Sequence, residues 1–95
     1  MSQPEMKVSS DGTKRWFLNG ERHREDGPAV EYPDGQKEWY LNGNLHREDG
    51  PAVEWPNGTK FWCLNGKQVS WKEVFRQAKN PEIELRILIT ASTNG

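Results

Sequence analysis

Two histidines are the side chains of this sequence best suited to chemistry. His23 and His46 are each followed three residues later by an aspartate, Asp26 and Asp49. Acid–base catalysis and metal binding both use imidazole beside carboxylate. The chain repeats with an offset of 23 residues, however, and Val69 stands at the repeat position of the two histidines. Because valine can fill a packing position but can neither transfer a proton nor bind a metal, the sequence predicts structural histidines, with no catalytic residue, no metal site and no cofactor.

Arg24 and Arg47 each precede an acidic pair, and a guanidinium is a forked donor suited to the carboxylate or phosphate of a partner. The alternative is that Asp26 and Asp49 cap their own turns through backbone hydrogen bonds, while each arginine pairs with a neighbouring acid. The sequence contains no glycine-rich phosphate loop, no pair of cysteines and no serine beside a histidine. Cys63, the one cysteine, occupies an aromatic position of the repeat, which favours a small packed hydrophobe. We therefore expect that this protein is not an enzyme.

The repeat extends well beyond these residues. The nine residues 23–31 occur again, unchanged, as residues 46–54. Two further sets of related segments share the offset of 23: the blocks 14–20, 37–43 and 60–66, and the turns 11–12, 34–35 and 57–58. A period of this length indicates a repeat architecture.

Each repeat predicts short antiparallel strands joined by tight turns. Lys-x-Trp-x-Leu alternates with a period of two and ends at Asn-Gly, which favours a two-residue hairpin turn. Pro-Asp-Gly and Pro-Asn-Gly favour a three-residue hairpin loop. Counting outward from these turns pairs Leu41 with Asn44, Tyr40 with Leu45, Trp39 with His46, Glu38 with Arg47, Glu31 with Lys37, Ala29 with Trp39, Glu54 with Lys60 and Ala52 with Trp62. Opposite charges and small residues facing large ones favour this register.

The alternation gives the predicted sheet two faces, each partly apolar. The first, expected to be buried, carries Trp16, Trp39, Trp62, Leu18, Leu41, Leu64, Ala29 and Ala52. The second carries Phe17, Tyr32, Tyr40, Trp55, Val30, Val53 and Cys63.

The pattern changes after residue 69, where two helices are predicted. Ser70 and Glu73 have capping-box spacing, and Trp71 begins an apolar stripe with helical spacing. Asn80-Pro81 then resembles an N-cap and a first-turn proline. Residues 83–91 also alternate as a strand would, and the cap chemistry favours helix. The predicted fold is α+β in a single domain: a flexible lead-in over residues 1–10, a meander of β-hairpin repeats with a 23-residue period over 11–69, and a helical cap over 70–92 packed on the sheet.

The pattern Lys-x-Trp-x-Leu-Asn-Gly-x-x-His-Arg-Glu-Asp-Gly-Pro-Ala-Val-Glu-x-x-x-Gly, which covers residues 11–66, resembles MORN-like repeats of the variant common in tailed phages and bacteria. Bacterial proteins with such repeats are often labelled antitoxins. The resemblance implies a chain of β-hairpins used for interaction, with no shared catalytic residues. For a phage-encoded chain it implies a host or defence protein as the partner.

Composition limits the partners further. With 13 basic and 14 acidic residues among 95, no general field attracts nucleic acid or anionic lipid. No apolar run approaches the roughly 20 residues that a membrane span needs, and residues 1–10 are too polar for a signal peptide. A single cysteine fits a reducing compartment. We therefore expect a cytoplasmic protein, in the host cytoplasm if it is phage-encoded.

The residues predicted to bind a partner are the four rings of the second face, with the two arginines beside them: Phe17, Tyr32, Tyr40, Trp55, Arg24 and Arg47. Tyrosine and tryptophan are enriched in binding hot spots. The alternative is that the terminal helices fold over this face, or that two copies bury it in a dimer. Three functions follow: a non-catalytic protein-interaction module, a protein that sequesters a nucleotide-like small ligand, and a structural repeat that self-associates.

Overall fold

A computed structural model describes residues 3–92 and shows an α+β fold of antiparallel hairpins followed by two helices. The strands are β1 (Glu5–Val8), β2 (Lys14–Leu18), β3 (Glu21–Arg22), β4 (Val30–Glu31), β5 (Lys37–Glu38), β6 (Tyr40–Leu41), β7 (Asn44–Leu45), β8 (Val53–Glu54), β9 (Lys60–Phe61), β10 (Cys63–Leu64) and β11 (Lys67–Gln68). The helices are α1 (Trp71–Ala78) and α2 (Pro81–Ser92). The predicted fold class is confirmed.

The main sheet has the order β1-β2-β4-β5-β8-β9, with β3 also paired to β2. Its register agrees with the prediction, since Glu31 pairs with Lys37 and Glu54 with Lys60. The second hairpin is also as predicted, with Tyr40 opposite Leu45. Each pair joins residues of complementary charge or size, which is why counting outward from the turns located them.

The first ten residues correct the prediction of a flexible lead-in. Residues 1–2 lie outside the described residues, but β1 forms a regular ladder with β2, in which Met6 pairs with Trp16 and Val8 with Lys14. β1 stands in the position that β4 and β8 take in the later repeats, because Val8 pairs with Lys14 as Glu31 pairs with Lys37. The array therefore begins with a divergent half-repeat.

The hairpins do not form the single sheet that the sequence predicts, because the chain changes sheets at Trp39. The Trp39 N–H donates to the Ala52 carbonyl in the direction of the main sheet, while the Trp39 carbonyl accepts from the N–H of His46 in the hairpin. β5 before Trp39 therefore belongs to the main sheet, and β6 after it belongs to a separate two-stranded sheet. β10 and β11 form a second such sheet after Trp62.

This break also overturns the predicted pairing of Glu38 with Arg47. The two residues lie on opposite sides of the Trp39 crossing, so the ladder that would join them does not continue. The partners of Glu38 are Val30 and Val53, in β4 and β8. The Arg47 N–H instead donates to the Cys63 carbonyl at 3.3 Å, which ties it to the following hairpin.

The two-residue turns between the hairpin strands use the left-handed backbone that Asn-Gly favours. Asn42 and Gly43 have φ values of 51° and 81°. Positive φ at both positions is the requirement of a type I′ turn, whose twist matches that of the strands. Such turns bring β6 and β7 back antiparallel over the shortest connection.

The buried core draws on both predicted faces. Ala29 and Ala52, from the face expected to be buried, are fully enclosed. Val30 and Val53, from the face expected to be open, are also buried, with exposures of 0% and 4%. The repeat tryptophans are half-buried. The core therefore takes residues from both sides of the strands and is not the single buried face that the alternation predicts.

The helical cap is confirmed, including residues 83–91 as helix. Val74 of α1 and Ile87 of α2 form a buried cluster with Leu64 of the last hairpin. The Asn80 carboxamide oxygen accepts hydrogen bonds from the N–H groups of Glu82 and Ile83, which starts α2 as predicted. Ser70 is the N-cap of α1, but its side chain makes no capping hydrogen bond, so the predicted capping box is not formed.

Substitution Trp39→Ala should lower the free energy of unfolding by about 3–5 kcal/mol, because it removes a large packed ring at the point where the two layers join. The measurement is chemical or thermal denaturation followed by circular dichroism. Leu88→Ala is the control, since Leu88 is exposed and its loss should stay within about 0.5 kcal/mol. Melting of Trp39→Ala within a few degrees of the parent would contradict this account of the core.

Candidate functional site

The two histidines connect consecutive repeats. The Nδ1 atom of His23 accepts a hydrogen bond of 2.9 Å from the N–H of Asn42, in the next hairpin turn. His46 accepts from Asn65 in the same way at 2.8 Å. Both imidazoles are buried. Since Nδ1 is the acceptor, the neutral ring carries its proton on Nε2, which in His46 lies 2.9 Å from the Glu48 carboxylate.

This geometry explains the valine of the last half-repeat. A histidine at position 69 would need a fourth hairpin turn, one repeat beyond Asn65, to donate an N–H to its ring. The helix α2 occupies that part of the chain instead. Because no turn N–H is present to donate a hydrogen bond, position 69 needs only an apolar side chain. Val69 packs against the helical core cluster. The structural role predicted for the histidines thus has an identified partner in each case.

Each arginine lies on the tryptophan of its own repeat. The Arg47 Cζ lies 3.7 Å from the centroid of the Trp39 ring. Its Nε is 2.8 Å from Asp49, and its Nη1 is 2.9 Å from Glu54 and donates to the Pro51 carbonyl at 3.1 Å. In the first repeat, Arg24 lies over the Trp16 ring in the same way. Its Nε donates to Asp26, and its Nη1 donates to Glu31 and to the Pro28 carbonyl.

The Arg-Glu-Asp-Gly turn is shaped around this guanidinium. A Cβ added at Gly50 would lie 2.7 Å from the Arg47 Cζ, so a larger residue there would displace the guanidinium from its present position. The predicted alternative, in which each arginine pairs with a neighbouring acid, describes these contacts. Asp26 and Asp49 accept hydrogen bonds from the Nε atoms of Arg24 and Arg47.

A cleft of about 610 Å³ lies between the two Arg-Glu-Asp-Gly turns. Its lining combines apolar side chains with the charged turns: Trp39, Leu41, Ile83, His46, Gly27, Arg24, Arg47, Glu25, Asp26, Glu48 and Asp49. Both arginines are neutralised by two carboxylates each. Arg86 of α2 pairs with Asp49 at 3.1 Å. The charges left open to solvent are therefore acidic, and the side chains of Glu25, Asp26 and Glu48 are 74–88% exposed.

The four predicted aromatic residues, Phe17, Tyr32, Tyr40 and Trp55, are all half-buried. The Tyr40 hydroxyl donates to Glu38 at 3.2 Å, and the Arg22 guanidinium lies 4.5 Å from its ring centroid. Burial and the neighbouring Glu38 carboxylate raise the pKa of the Tyr40 phenol. The Lys7 ammonium lies 5.7 Å from the Phe17 ring centroid. All four rings are thus partly covered, and two of them, Phe17 and Tyr40, have a basic group beside them.

The remaining candidates for chemistry are the thiol of Cys63 and the carboxylates and imidazoles that could bind a metal ion. Burial raises the pKa of the Cys63 thiol, which disfavours the reactive thiolate. Among residues 3–92, no group of three or more His, Cys, Asp or Glu side chains is arranged to hold a metal ion. None of the described helices is long and apolar enough to cross a membrane.

Two features were missed by the sequence reasoning. The first is the stacking of arginine on tryptophan, whose signal is the constant spacing of eight residues from Trp16 to Arg24 and from Trp39 to Arg47. The second is an apolar strip on α2, formed by Leu85, Leu88 and Ile89, which are exposed to solvent. Its signal is the spacing i, i+3, i+4.

Comparison of the chain with protein-family models, curated proteins and solved structures finds no match. The resemblance to MORN-like repeats therefore stays a prediction from the repeat residues themselves.

Substitution His46→Val, which installs the residue of the last half-repeat, should lower the free energy of unfolding by about 1–3 kcal/mol, because the Asn65 N–H loses its acceptor. His46→Asn is the matched variant, since its Oδ1 occupies the place of Nδ1 and can accept the same bond. Denaturation curves measure the difference, and hydrogen exchange at the Asn65 amide should quicken only in the valine variant. Equal stability of the two variants would show that the bond between repeats contributes little.

Proposed function

We propose that this protein is a non-catalytic module that binds another protein through the aromatic face formed by Phe17, Tyr32, Tyr40 and Trp55. The observation that carries the proposal is how the polar groups are used. The imidazoles and guanidiniums of the repeats are engaged in contacts within the chain, whereas large rings remain partly open to solvent. What the surface offers a partner is therefore contact area rather than reactive groups.

The rings fit the chemistry of a binding hot spot. Tyrosine and tryptophan supply large, stiff contact area, so a partner that covers them loses little side-chain entropy. Arg22 and Lys7 lie over the rings of Tyr40 and Phe17, and neither forms an ion pair with another described residue. An acidic rim on the partner would meet these two cations while its apolar centre covers the rings.

A nucleotide-like ligand is supported less well by the geometry. In the cleft between the two arginine turns a phosphate would need uncompensated cations, and Arg24 and Arg47 are each already bound to two carboxylates. The cleft between them also carries exposed acids on its rim, which would repel an anion. If the chain is phage-encoded, we propose that the partner is a host or defence protein.

The double substitution Tyr40→Glu with Trp55→Glu should abolish partner binding while the circular-dichroism spectrum stays that of the parent. The reason is that two carboxylates would have to be desolvated at the centre of the interface. The measurement is affinity capture from a cell lysate, with captured proteins quantified by mass spectrometry and then confirmed with the purified partner.

Leu85→Glu with Leu88→Glu, on the exposed strip of α2, is the matched control and should still capture the same protein. Loss of capture in the α2 variant alone would move the interface to the helices. Unfolding of the aromatic variant would show that the four rings are core. Stabilisation of the parent by a nucleotide in a thermal-shift assay would support a small-ligand function instead.

A further inference from the structure

The strand β1 is an open edge of the main sheet. One side of β1 pairs with β2, and no described strand pairs with the other side. All four of its residues are exposed, including the apolar Met6 and Val8. The opposite edge strand, β9, is only two residues long, and the chain continues from there into the last hairpin and the helices. β1 is therefore the longer template for pairing with a further strand.

The free hydrogen-bonding groups of this edge can be identified. The Ser9 N–H donates to the Thr13 carbonyl at 2.9 Å, so Ser9 faces β2. Successive residues of a strand point their N–H and C=O groups to alternate sides. Since the ladder with β2 is regular from Glu5 to Val8, Met6 and Val8 direct these groups away from β2, toward the open side.

We propose that a second copy of this chain pairs with this edge, antiparallel, about a two-fold axis through Met6. In that register Glu5 of each copy stands directly opposite Lys7 of the other. Neither residue has an ion pair among the described residues, so both charges are available. Opposite charges at directly facing positions stabilise an antiparallel pair, and like charges destabilise it.

The neighbouring registers are disfavoured by the same charges. The hydrogen-bonding groups of Met6 and Val8 must stay opposite such groups of the other copy. One strand can therefore slip past the other only by two residues at a time, which moves the two-fold axis to the adjacent residue. An axis through Glu5 would place Glu5 opposite Glu5, and an axis through Lys7 would place Lys7 opposite Lys7. Of these three registers, the Glu-Met-Lys order of β1 favours the one centred on Met6.

The pairing is also limited in length and closed. Each Met6 N–H would donate to the Met6 carbonyl of the other copy, and each Val8 N–H to the carbonyl of Pro4. Pro4 has no N–H, so the ladder ends there. Because a two-fold interface uses the same edge of both copies, it consumes that edge and gives a dimer rather than a fibre. This assembly does not require a partner on the aromatic face, but Lys7 takes part in both proposals because it also lies over the Phe17 ring.

The test is a charge swap followed by sedimentation or light scattering across a concentration series. The parent should be a dimer at high concentration. Lys7→Glu should weaken dimerisation about tenfold or more, since both facing pairs become repulsive. Its fold should be retained, because Lys7 pairs within the chain with Arg15, an arrangement that a glutamate improves.

Glu5→Lys combined with Lys7→Glu should restore the dimer, because the facing pairs are again opposite in charge. The single variants Glu5→Lys and Lys7→Glu should each dimerise more weakly than the parent and should form a tighter mixed dimer when combined. Hydrogen exchange at the Met6 and Val8 amides should slow only at dimer-forming concentrations.

A parent that is monomeric throughout the series would overturn the proposal, as would a dimer that Lys7→Glu leaves intact. Slow exchange at Met6 and Val8 in a monomer would show that this chain covers its own edge, which would also overturn it. Capture of a strand from another protein at β1, with the parent monomeric, would assign the edge to that partner instead.

Discussion

The structure depends on the backbone of Trp39, which is hydrogen-bonded to the main sheet and to the following hairpin at once. The N–H of Trp39 faces the main sheet and its carbonyl faces the hairpin. A residue in that position cannot shift without breaking a bond in one layer or the other. The indole also supplies the surface on which Arg47 lies, so one residue fixes both the path of the chain and the position of the turn that follows.

The other contacts of the repeat extend this arrangement to the neighbouring copies. The guanidinium on the tryptophan secures the Arg-Glu-Asp-Gly turn within its own repeat, whereas the imidazole reaches across to the turn of the next repeat. Stability within a repeat and stability between repeats are thus assigned to adjacent residues, Arg47 and His46. A small protein with a thin apolar core can keep its layers aligned in this way, since buried hydrogen bonds specify geometry that apolar contacts alone leave loose.

Much of this fold could be predicted from the sequence, because many of its determinants are local. The turns at residues 42–43 and the pair Glu31–Lys37 follow from neighbours in the chain, and Asn80 marks the start of α2 by its own side chain. The crossing at Trp39 could not be predicted in this way, because it depends on a carbonyl of the following repeat, that of Ala52. β1 was missed because it keeps the spacing of the repeat without its residue types.

The same division applies to the candidate site. The valine at position 69 led to the prediction of structural histidines, but it did not indicate that each accepts a hydrogen bond from a turn 19 residues further on. The two arginines were singled out for their donors, and the structure shows those donors bound within the chain. The aromatic residues were located by their alternation along the strands, whereas the extent to which each ring is covered depends on how the two layers meet.

The histidine bond has a direction, and this direction bears on how the gene can change in length. Each imidazole accepts a hydrogen bond from the repeat that follows it. In a copy inserted between the existing ones, the turn N–H would therefore donate to the preceding histidine, and its own histidine would accept from the turn that follows. The terminal segments would keep their present neighbours: β1 at the start, and Val69 with the helices at the end. Duplication or deletion of one 23-residue unit is therefore a change that the fold can absorb, whereas the loss of a few residues within a unit would misalign every bond beyond it. Such a protein can vary the area of its surface in discrete steps by recombination alone.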